Sequence, residues 1–335
     1  MIFDSESVFE ENVITVLKQH GWKDGVLRYP TERDLLDNWK GILYRNNNDI
    51  DRLGKYPLTD GEMTQIIEQI ETLRTPLALN SFVNGRTVSI TRDNKEDVAH
   101  FGKEVSLYIY DRKEIAGGKS TYQIAQQPVY PAKNKMLNSR RGDLVLLING
   151  MPLIHIELKK SGIPVSQATN QIEKYAHEGV FTGLFRLVQI FVAMNPDDAV
   201  YFANPGVDKF NPSYYFHWAD YNNEPICGGQ NPGKDEWKLF IGGTSGTAGL
   251  LSIPMAHQLI GFYTIADSAD GCLKVLRSYQ YIAANAISDV VRKCDWEQRP
   301  ATPGRPGGYV WHTTGSGKTM TSFKSAQLIA DSHDA

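Results

Sequence analysis

Two short apolar stretches near the middle of the chain carry its clearest pattern. Residues 144–148 (LVLLI) are continuously apolar over the length of a strand. Residues 153–159 alternate, with Ile154, Ile156 and Leu158 on one side and Leu153, His155, Glu157 and Lys159 on the other. Asn149-Gly150, between the two stretches, is the strongest short hairpin signal. Residues 140–175 therefore predict strand, tight turn, strand, short loop and helix, with a carboxylate and an ammonium together on one side of the second strand.

Elsewhere the periodicity predicts an amphipathic helix over residues 7–20, with Val8, Val13, Val16 and Leu17 on its apolar face and Gly21 as its C-cap. Residues 31–46 and 59–73 read as helices, broken by Asn47-Asn48-Asp49 and Pro57. From residue 80 to 127 the pattern turns to strands (86–91, 105–110 and, after a Gly117-Gly118 turn, 121–125) that lead into the hairpin. Residues 185–194 (FRLVQIFVAM) predict a strand buried on both faces. Residues 204–247, rich in Gly, Pro, Asn and aromatics, have no assignable period. Tyr214, Tyr215, Phe216, Trp218 and Tyr221 are candidates for base stacking or, more commonly, for core packing under a long loop. Residues 250–262 and 271–293 predict helices. A Pro/Gly-rich linker (299–308), a short strand (309–311), a loop and a helix (320–329) follow.

The register of the hairpin decides what its charges can do. A strict two-residue loop pairs Ile148 with Met151 and Asp143 with Ile156, which turns Glu157 away from Asp143. One extra residue puts both carboxylates on one face. A site that uses both acids therefore predicts a bulge, a longer loop or a bend here.

Composition narrows the class. A chain of 335 residues has room for two domains and a sizeable core, and 41% hydrophobic with 22% charged residues is ordinary for a soluble globular protein. The net charge of −3 leaves no overall basic footprint, so a nucleic-acid surface must be local, as at Arg140, Arg141, Lys159 and Lys160. No apolar run reaches the roughly 18 residues of a membrane span, and the acidic opening MIFDSESVFEEN is unlike a secretory signal. Cys227, Cys272 and Cys294 are too widely spaced for a disulfide framework or a zinc site, and the eight histidines show no metal-ligand pairing. That usage suits a reducing, cytoplasmic location.

The candidate chemistry lies in two places. Asp143 is followed, after thirteen residues, by Glu157-x-Lys159. Two carboxylates on adjoining strands offer oxygen ligands to a hard cation such as Mg²⁺, with the Leu158 carbonyl as a further ligand. Lys159 would orient a water or offset charge at phosphorus. That set suits phosphodiester hydrolysis. Gln171 and Tyr175 share a face of the next helix at i, i+4. Glu6, Glu10 and Glu11 suit the start of the first helix as dipole compensation, and Glu10 is also a candidate to reach Asp143. In the second place, residues 312–319 (HTTGSGKT) lie between the predicted strand and helix. Thr314, Gly315, Ser316 and Gly317 would cradle phosphates, Lys318 would contact the β- and γ-phosphates, and Thr319 would ligate Mg²⁺. His312 stands where the usual pattern begins with glycine.

RGD, thirteen residues, ELK and then QIEKY resemble the PD-(D/E)xK nucleases, in the branch with a Q-x-x-x-Y helix motif. The resemblance implies an α/β fold with a mixed central sheet flanked by helices. It implies Asp143 and Glu157 as metal ligands, Lys159 as the catalytic lysine, and Gln171, Tyr175 and Glu10 as supporting and DNA-handling residues. Gly142 stands in place of the family's proline. Arg277-x-Tyr279-Gln280 resembles the adenine-recognising glutamine motif of superfamily 2 helicases. Together with SESVFEENVITVL, AMNPDDAVYFAN and GGYVWHTTGSGKT, taken in order, these stretches resemble the R subunit of type I restriction–modification enzymes.

The resemblance implies a nuclease domain over residues 1–255. A linker and the opening of a RecA-like P-loop domain would occupy 256–335, without the remaining motifs of a motor. It further implies Mg²⁺-dependent cleavage of double-stranded DNA coupled to ATP-dependent translocation, with Mg²⁺ and ATP as cofactors and modification and specificity subunits as partners. The alternatives are a type III or other helicase-linked restriction nuclease, against which the N-terminal nuclease counts, and a nucleotide-switched assembly module with an inactive nuclease fold.

Overall fold

The computed structural model describes residues 2–115, 118–131, 140–293 and 308–333. The first helix, α1 (Glu6–Gln19), starts where the Ser5 side chain accepts the Val8 amide. Its buried stripe runs through Phe9, Val13, Val16 and Leu17. Val8, expected on that face, is exposed, because Phe9 takes the inward position against Phe3 and Trp237 at ring distances of 5.0 and 5.2 Å. The short strand β1 (Val26–Arg28) leads to α2 (Glu32–Asn46) and α3 (Asp60–Thr72). Both helices open with reciprocal capping boxes, Thr31 with Asp34 and Thr59 with Glu62. The structure adds a helix, α4 (Pro76–Asn84), capped by Thr75, in residues that sequence periodicity partly assigned to strands.

Next come β2 (Thr87–Thr91) and β3 (Glu104–Tyr108), whose alternate residues are buried. Among the described residues they pair only with each other, as a separate two-stranded sheet. The main sheet begins again at β4 (Tyr122–Gln126) and continues through β5 (Leu144–Ile148) and β6 (Met151–Leu158). After α5 (Val165–Glu178) it ends with β7 (Ile190–Met194) and β8 (Ala199–Ala203). Its order is β1-β4-β5-β6-β7-β8, with β1 parallel to β4, β6 parallel to β7 and the other neighbours antiparallel. The mixed central sheet expected of the chain is present. The strands β4, β5, β6 and β7 are buried at every position, as strands covered on both faces must be. Ala168 and Ile172 of α5 close one face over Phe191, Ala193, Val200 and Phe202.

Four sequence expectations change. The apolar run at 185–194 is a strand only from Ile190, and Gly183–Leu187 is a 3₁₀ turn. Arg186 there donates to the Glu71 and Leu73 carbonyls at the end of α3, and the buried Gln189 accepts from Asn80. Of residues 250–262, only α7 (Met255–Gly261) is helical, because the residue before Pro254 is pushed out of the helical region. Residues 271–275 are not helical. Thr264–Asp267 (β9) and Cys272–Val275 (β10) form a hairpin, and the helix α8 runs from Ser278 to Lys293. Residues 309–311 pair with no strand among the described residues, and Tyr309 and Trp311 are exposed.

The loop-rich stretch 204–247 contains one short α-helix, α6 (Glu236–Gly242), and mostly buries its aromatics. Tyr215 stacks on Phe202 at 4.2 Å, Phe216 lies against Tyr201, and Trp218 is buried with its indole N–H on the Ala248 carbonyl at 2.8 Å. Only Tyr214 and Tyr221 of the five stand exposed. Gly117, Cys294 and residues 299–307 of the linker lie outside the described residues.

Met1–Trp218 with Ile226–Val275 form one compact unit, and Ala219–Pro225 with Leu276–Ala335 form another. The latter contains α8 and α9 (Lys318–His333), packed on each other. In the former, Arg92 is fully buried. Its guanidinium reaches Glu62 at 2.6 Å, Asp97 at 3.0 Å and the Tyr56 carbonyl at 2.6 Å, while Glu62 also accepts the Thr59 and Asp93 amides. Each charge is satisfied, so removing one member strands the others in a medium that solvates them poorly. Arg92→Ala should cost about 3–5 kcal/mol of stability, read as a lowered urea midpoint.

Candidate active site

The β5–β6 hairpin holds both a tight turn and an irregularity. Ile148 pairs with Met151 across Asn149-Gly150, as in a two-residue loop. The register then shifts by one residue, so that Leu147 faces Pro152 while Leu146 faces Ile154. Asn149 (φ 53°) and Gly150 (φ 84°) supply the two left-handed residues that such a turn requires. Beyond the bulge Leu144 faces Ile156, which brings Asp143 opposite Glu157 on one face. The extra residue required by a two-carboxylate site is thus present, in the strand rather than in the loop.

Asp143 is anchored at the mouth of β5. Its Oδ2 accepts the Leu158 amide at 2.7 Å, and its carbonyl accepts the Gln127 amide at 2.7 Å. Burial pushes its carboxyl well above the usual carboxylate range, helped by the charge of Glu157. Glu157 is wholly buried, and desolvation raises its pKa to about 8 despite the Lys159 ammonium. Neither Glu157 oxygen makes a hydrogen bond among the described residues. The nearest cationic atom is Lys159 Nζ, 3.7 Å from Oε1. Lys159 is also largely buried, with Nζ on the Leu158 carbonyl at 2.9 Å and 3.6 Å from Glu6 of α1. The Leu158 carbonyl therefore already holds an ammonium proton.

Two helices complete the surroundings. From α1, the buried Glu10 accepts from the amides of Gln126 and Gln127 at the end of β4. Desolvation raises its pKa, and its charge is felt at Asp143. From α5, Gln171 donates to the Tyr175 hydroxyl at 2.7 Å, and that hydroxyl donates to the Arg141 carbonyl at 2.9 Å, two residues before Asp143. Burial raises the Tyr175 pKa, so the hydroxyl stays a donor. Asp143, Glu157, Lys159, Glu10, Gln171 and Tyr175 thus all lie around one end of the hairpin.

Sequence reasoning missed four residues there: Gln126, Gln127, Tyr130 and His155. His155 carried a signal, since it lies on the same alternating face two residues before Glu157. The glutamines and Tyr130 carried none, because only the pairing of β4 with β5 brings them close. Gly142 also finds its reason here. A Cβ at this position would lie 2.5 Å from the Tyr130 hydroxyl and 2.9 Å from the His155 ring, so the packing leaves no room for proline or any other side chain.

The chemistry of the donor set fits a hard divalent ion. Two adjacent carboxylates, one with both oxygens buried and undonated, favour a cation, and Mg²⁺ commonly uses one or two carboxylates with water and phosphate oxygens. No group of three His, Cys, Asp or Glu side chains converges as a ready ligand set among the described residues.

The nucleotide-loop candidates lie in the unit containing α8 and α9. Lys318 opens α9, and Gly315 and Gly317 take φ values of 78° and 80° that a side chain would strain. Tyr279 donates to the Ser316 carbonyl at 2.8 Å. Gln280 accepts the Arg277 amide at 3.0 Å and donates to Ser316 at 3.1 Å, so both residues hold the loop itself. Lys318 Nζ rests on the Thr313 carbonyl at 3.1 Å, and Thr314 and Thr319 are exposed. A cavity of about 750 Å³, lined by Arg277, Tyr279, Ile282 and Ala283 and by Thr314, Gly315 and Ser316, opens beside it. No helix is long and apolar enough to cross a membrane among the described residues.

Comparison with known proteins identifies the family. Residues 4–210 match the family model described as type I restriction enzyme R protein N terminus, and residues 279–335 match that of the SWI2/SNF2 ATPases. The chain is 30% identical to the type I restriction enzyme SsaAORF53P endonuclease subunit of Staphylococcus saprophyticus over its whole length, and spans 31% of that protein. It is 31% identical to the SauMSSORF170P endonuclease subunit of Staphylococcus aureus, again with all of this chain and 31% of the relative covered. Identity to the EcoprrI endonuclease subunit of Escherichia coli is 26%, over 92% of this chain and 90% of the relative. The chain belongs to the type I restriction enzyme R protein family, with residues 4–210 matching the model of that family's N terminus.

Proposed function

We propose that the chain supplies the DNA-cleaving site of a type I restriction enzyme, as a PD-(D/E)xK nuclease domain joined to the opening of a RecA-like, ATP-driven translocase. The observation that carries the reading is the bulge-set register, which places Asp143 against a buried Glu157 that accepts no close hydrogen bond, with Lys159 Nζ 3.7 Å away. Double-stranded DNA is the proposed substrate, with the modification and specificity subunits of the same enzyme as partners and the cytoplasm as location.

In this reading Asp143 and Glu157 hold Mg²⁺, which when bound polarises the scissile phosphate and acidifies a water. Asp143 is oriented by the Leu158 amide, which fixes its Oδ2. Lys159, held near Glu157 and Glu6, keeps a positive charge where negative charge builds on the phosphate. Glu10, fixed by Gln126 and Gln127, adds negative potential that favours a cation. Gln171 and Tyr175 fix the Arg141 backbone and so the approach of the chain to Asp143. ATP is the proposed ligand of the loop at Gly315–Ser316–Gly317–Lys318, where exposed backbone and the start of α9 suit phosphate and Thr319 is free to join its Mg²⁺.

Lys159→Ala should lower Mg²⁺- and ATP-dependent cleavage of plasmid DNA by the assembled enzyme about 100-fold or more, with nucleotide binding intact. Undiminished cleavage would overturn the assignment. A pH dependence follows from the raised carboxyls. Folded Glu157 keeps its proton up to about pH 8, whereas the unfolded chain releases it in the ordinary carboxylate range. Without metal, stability should fall as pH rises between those limits, and a divalent ion must displace the proton. Mn²⁺ affinity measured by calorimetry should therefore rise with pH, about tenfold per pH unit for each carboxyl proton that the ion displaces.

A further inference from the structure

The roles above leave the buried titratable residue beside Glu157 unused. His155, in β6, is fully buried, and its ring lies among those of Tyr130, Tyr175, Phe181 and Phe191. Its Nδ1 is 2.8 Å from the Tyr130 hydroxyl. Its Nε2 is 3.3 Å from Glu157 Oε2, and neither of those two atoms makes a hydrogen bond among the described residues. The other oxygen, Oε1, faces Lys159.

Only one arrangement of protons suits all three groups when Glu157 is the carboxylate that a cation needs. If Nδ1 carried the hydrogen, the bare lone pair of Nε2 would face the carboxylate and the Tyr130 hydroxyl hydrogen would lose its acceptor. With the hydrogen on Nε2, Tyr130 donates to Nδ1, and Nε2–H is a donor 3.3 Å from Oε2, close enough to attract the carboxylate but short of a formed hydrogen bond. Gly142 belongs to the same device, since a Cβ there would press on both Tyr130 and His155.

We propose that Tyr130 and His155 are positioning residues for Glu157. Tyr130 fixes the tautomer of His155, and His155 holds Oε2 so that Oε1 is presented to the divalent ion beside Lys159. The proposal rests on the nuclease reading. A partner behind a metal ligand commonly sets the metal affinity by 10–100-fold, and here that partner approaches from the aromatic interior.

The test is Mn²⁺ titration of the chain by calorimetry, with thermal unfolding of each variant as a fold check. His155→Phe keeps the ring shape in its aromatic surroundings and should weaken Mn²⁺ binding about tenfold or more. His155→Gln, which restores an N–H donor, should recover part of that loss. Tyr130→Phe, which removes a single hydroxyl, should weaken binding less and change the ¹⁵N signature of His155 under saturating Mg²⁺ from a pure Nε2–H form to a mixture. If Mn²⁺ binding is absent, or is unchanged by Asp143→Ala, the nuclease reading fails and the positioning role fails with it. If binding depends on Asp143 but His155→Phe leaves it unchanged, the positioning role alone is overturned. It is equally overturned if His155 carries its hydrogen on Nδ1 with Mg²⁺ bound. Should His155→Phe not fold, the affinity and tautomer of Tyr130→Phe decide in the same two directions.

Discussion

Two carboxyl groups facing each other in a dry place are the constraint around which this protein is built. Removing Asp143 and Glu157 from water disfavours the charge of each, and the charge of Glu157 further disfavours that of Asp143. A fold tolerates such a pair only if something else gains from it. The surroundings are arranged to keep that tension rather than relieve it. One backbone amide holds Asp143, Lys159 stands close to Glu157 without capturing it, and Glu10 adds a third acid nearby. The contrast with Arg92, Glu62 and Asp97 is instructive. That buried cluster has every charge matched by hydrogen bonds, which marks it as support for the helices and loops around it.

The rigidity of the site comes from the middle of the sheet. The strands β5 and β6 are buried on both faces, so the bulge between Leu146 and Leu147 cannot slide without moving a whole row of core side chains to the wrong side. The helices α1 and α5 then deliver their polar residues from outside the sheet. Glu10 arrives through Gln126 and Gln127, and Tyr175 arrives through the Arg141 carbonyl. Beneath the carboxylates, Gly142 fits closely over Tyr130 and His155, where a side chain would meet both.

The nucleotide-loop unit is organised differently. Its loop is held through carbonyls by Tyr279 and Gln280, and Lys318 turns back onto Thr313. Those side chains support the loop's own backbone and leave its outer face open, as suits a loop proposed to receive phosphate.

Local patterning was enough to specify the hairpin, the three long N-terminal helices, the helix bearing Gln171 and Tyr175, and the glycine loop before α9. Each is a matter of period, cap or turn chemistry, carried by residues within a few positions of one another. The same patterning required that Asp143 and Glu157 meet only if the hairpin were irregular, since strand pairing sets which side chains share a face. Long-range packing settled the rest. Strand propensity at residues 86–110 did not reveal that those strands leave the main sheet, and the apolar run at 185–194 gave no sign that Arg186 and Gln189 would spend its first half on hydrogen bonds. The position of the bulge, the burial of Glu157 without a close hydrogen bond, and the arrival of Tyr130, Gln126 and Gln127 depend on contacts between residues far apart in the chain. Such contacts leave no local period to read, because they exist only once the sheet has closed around them.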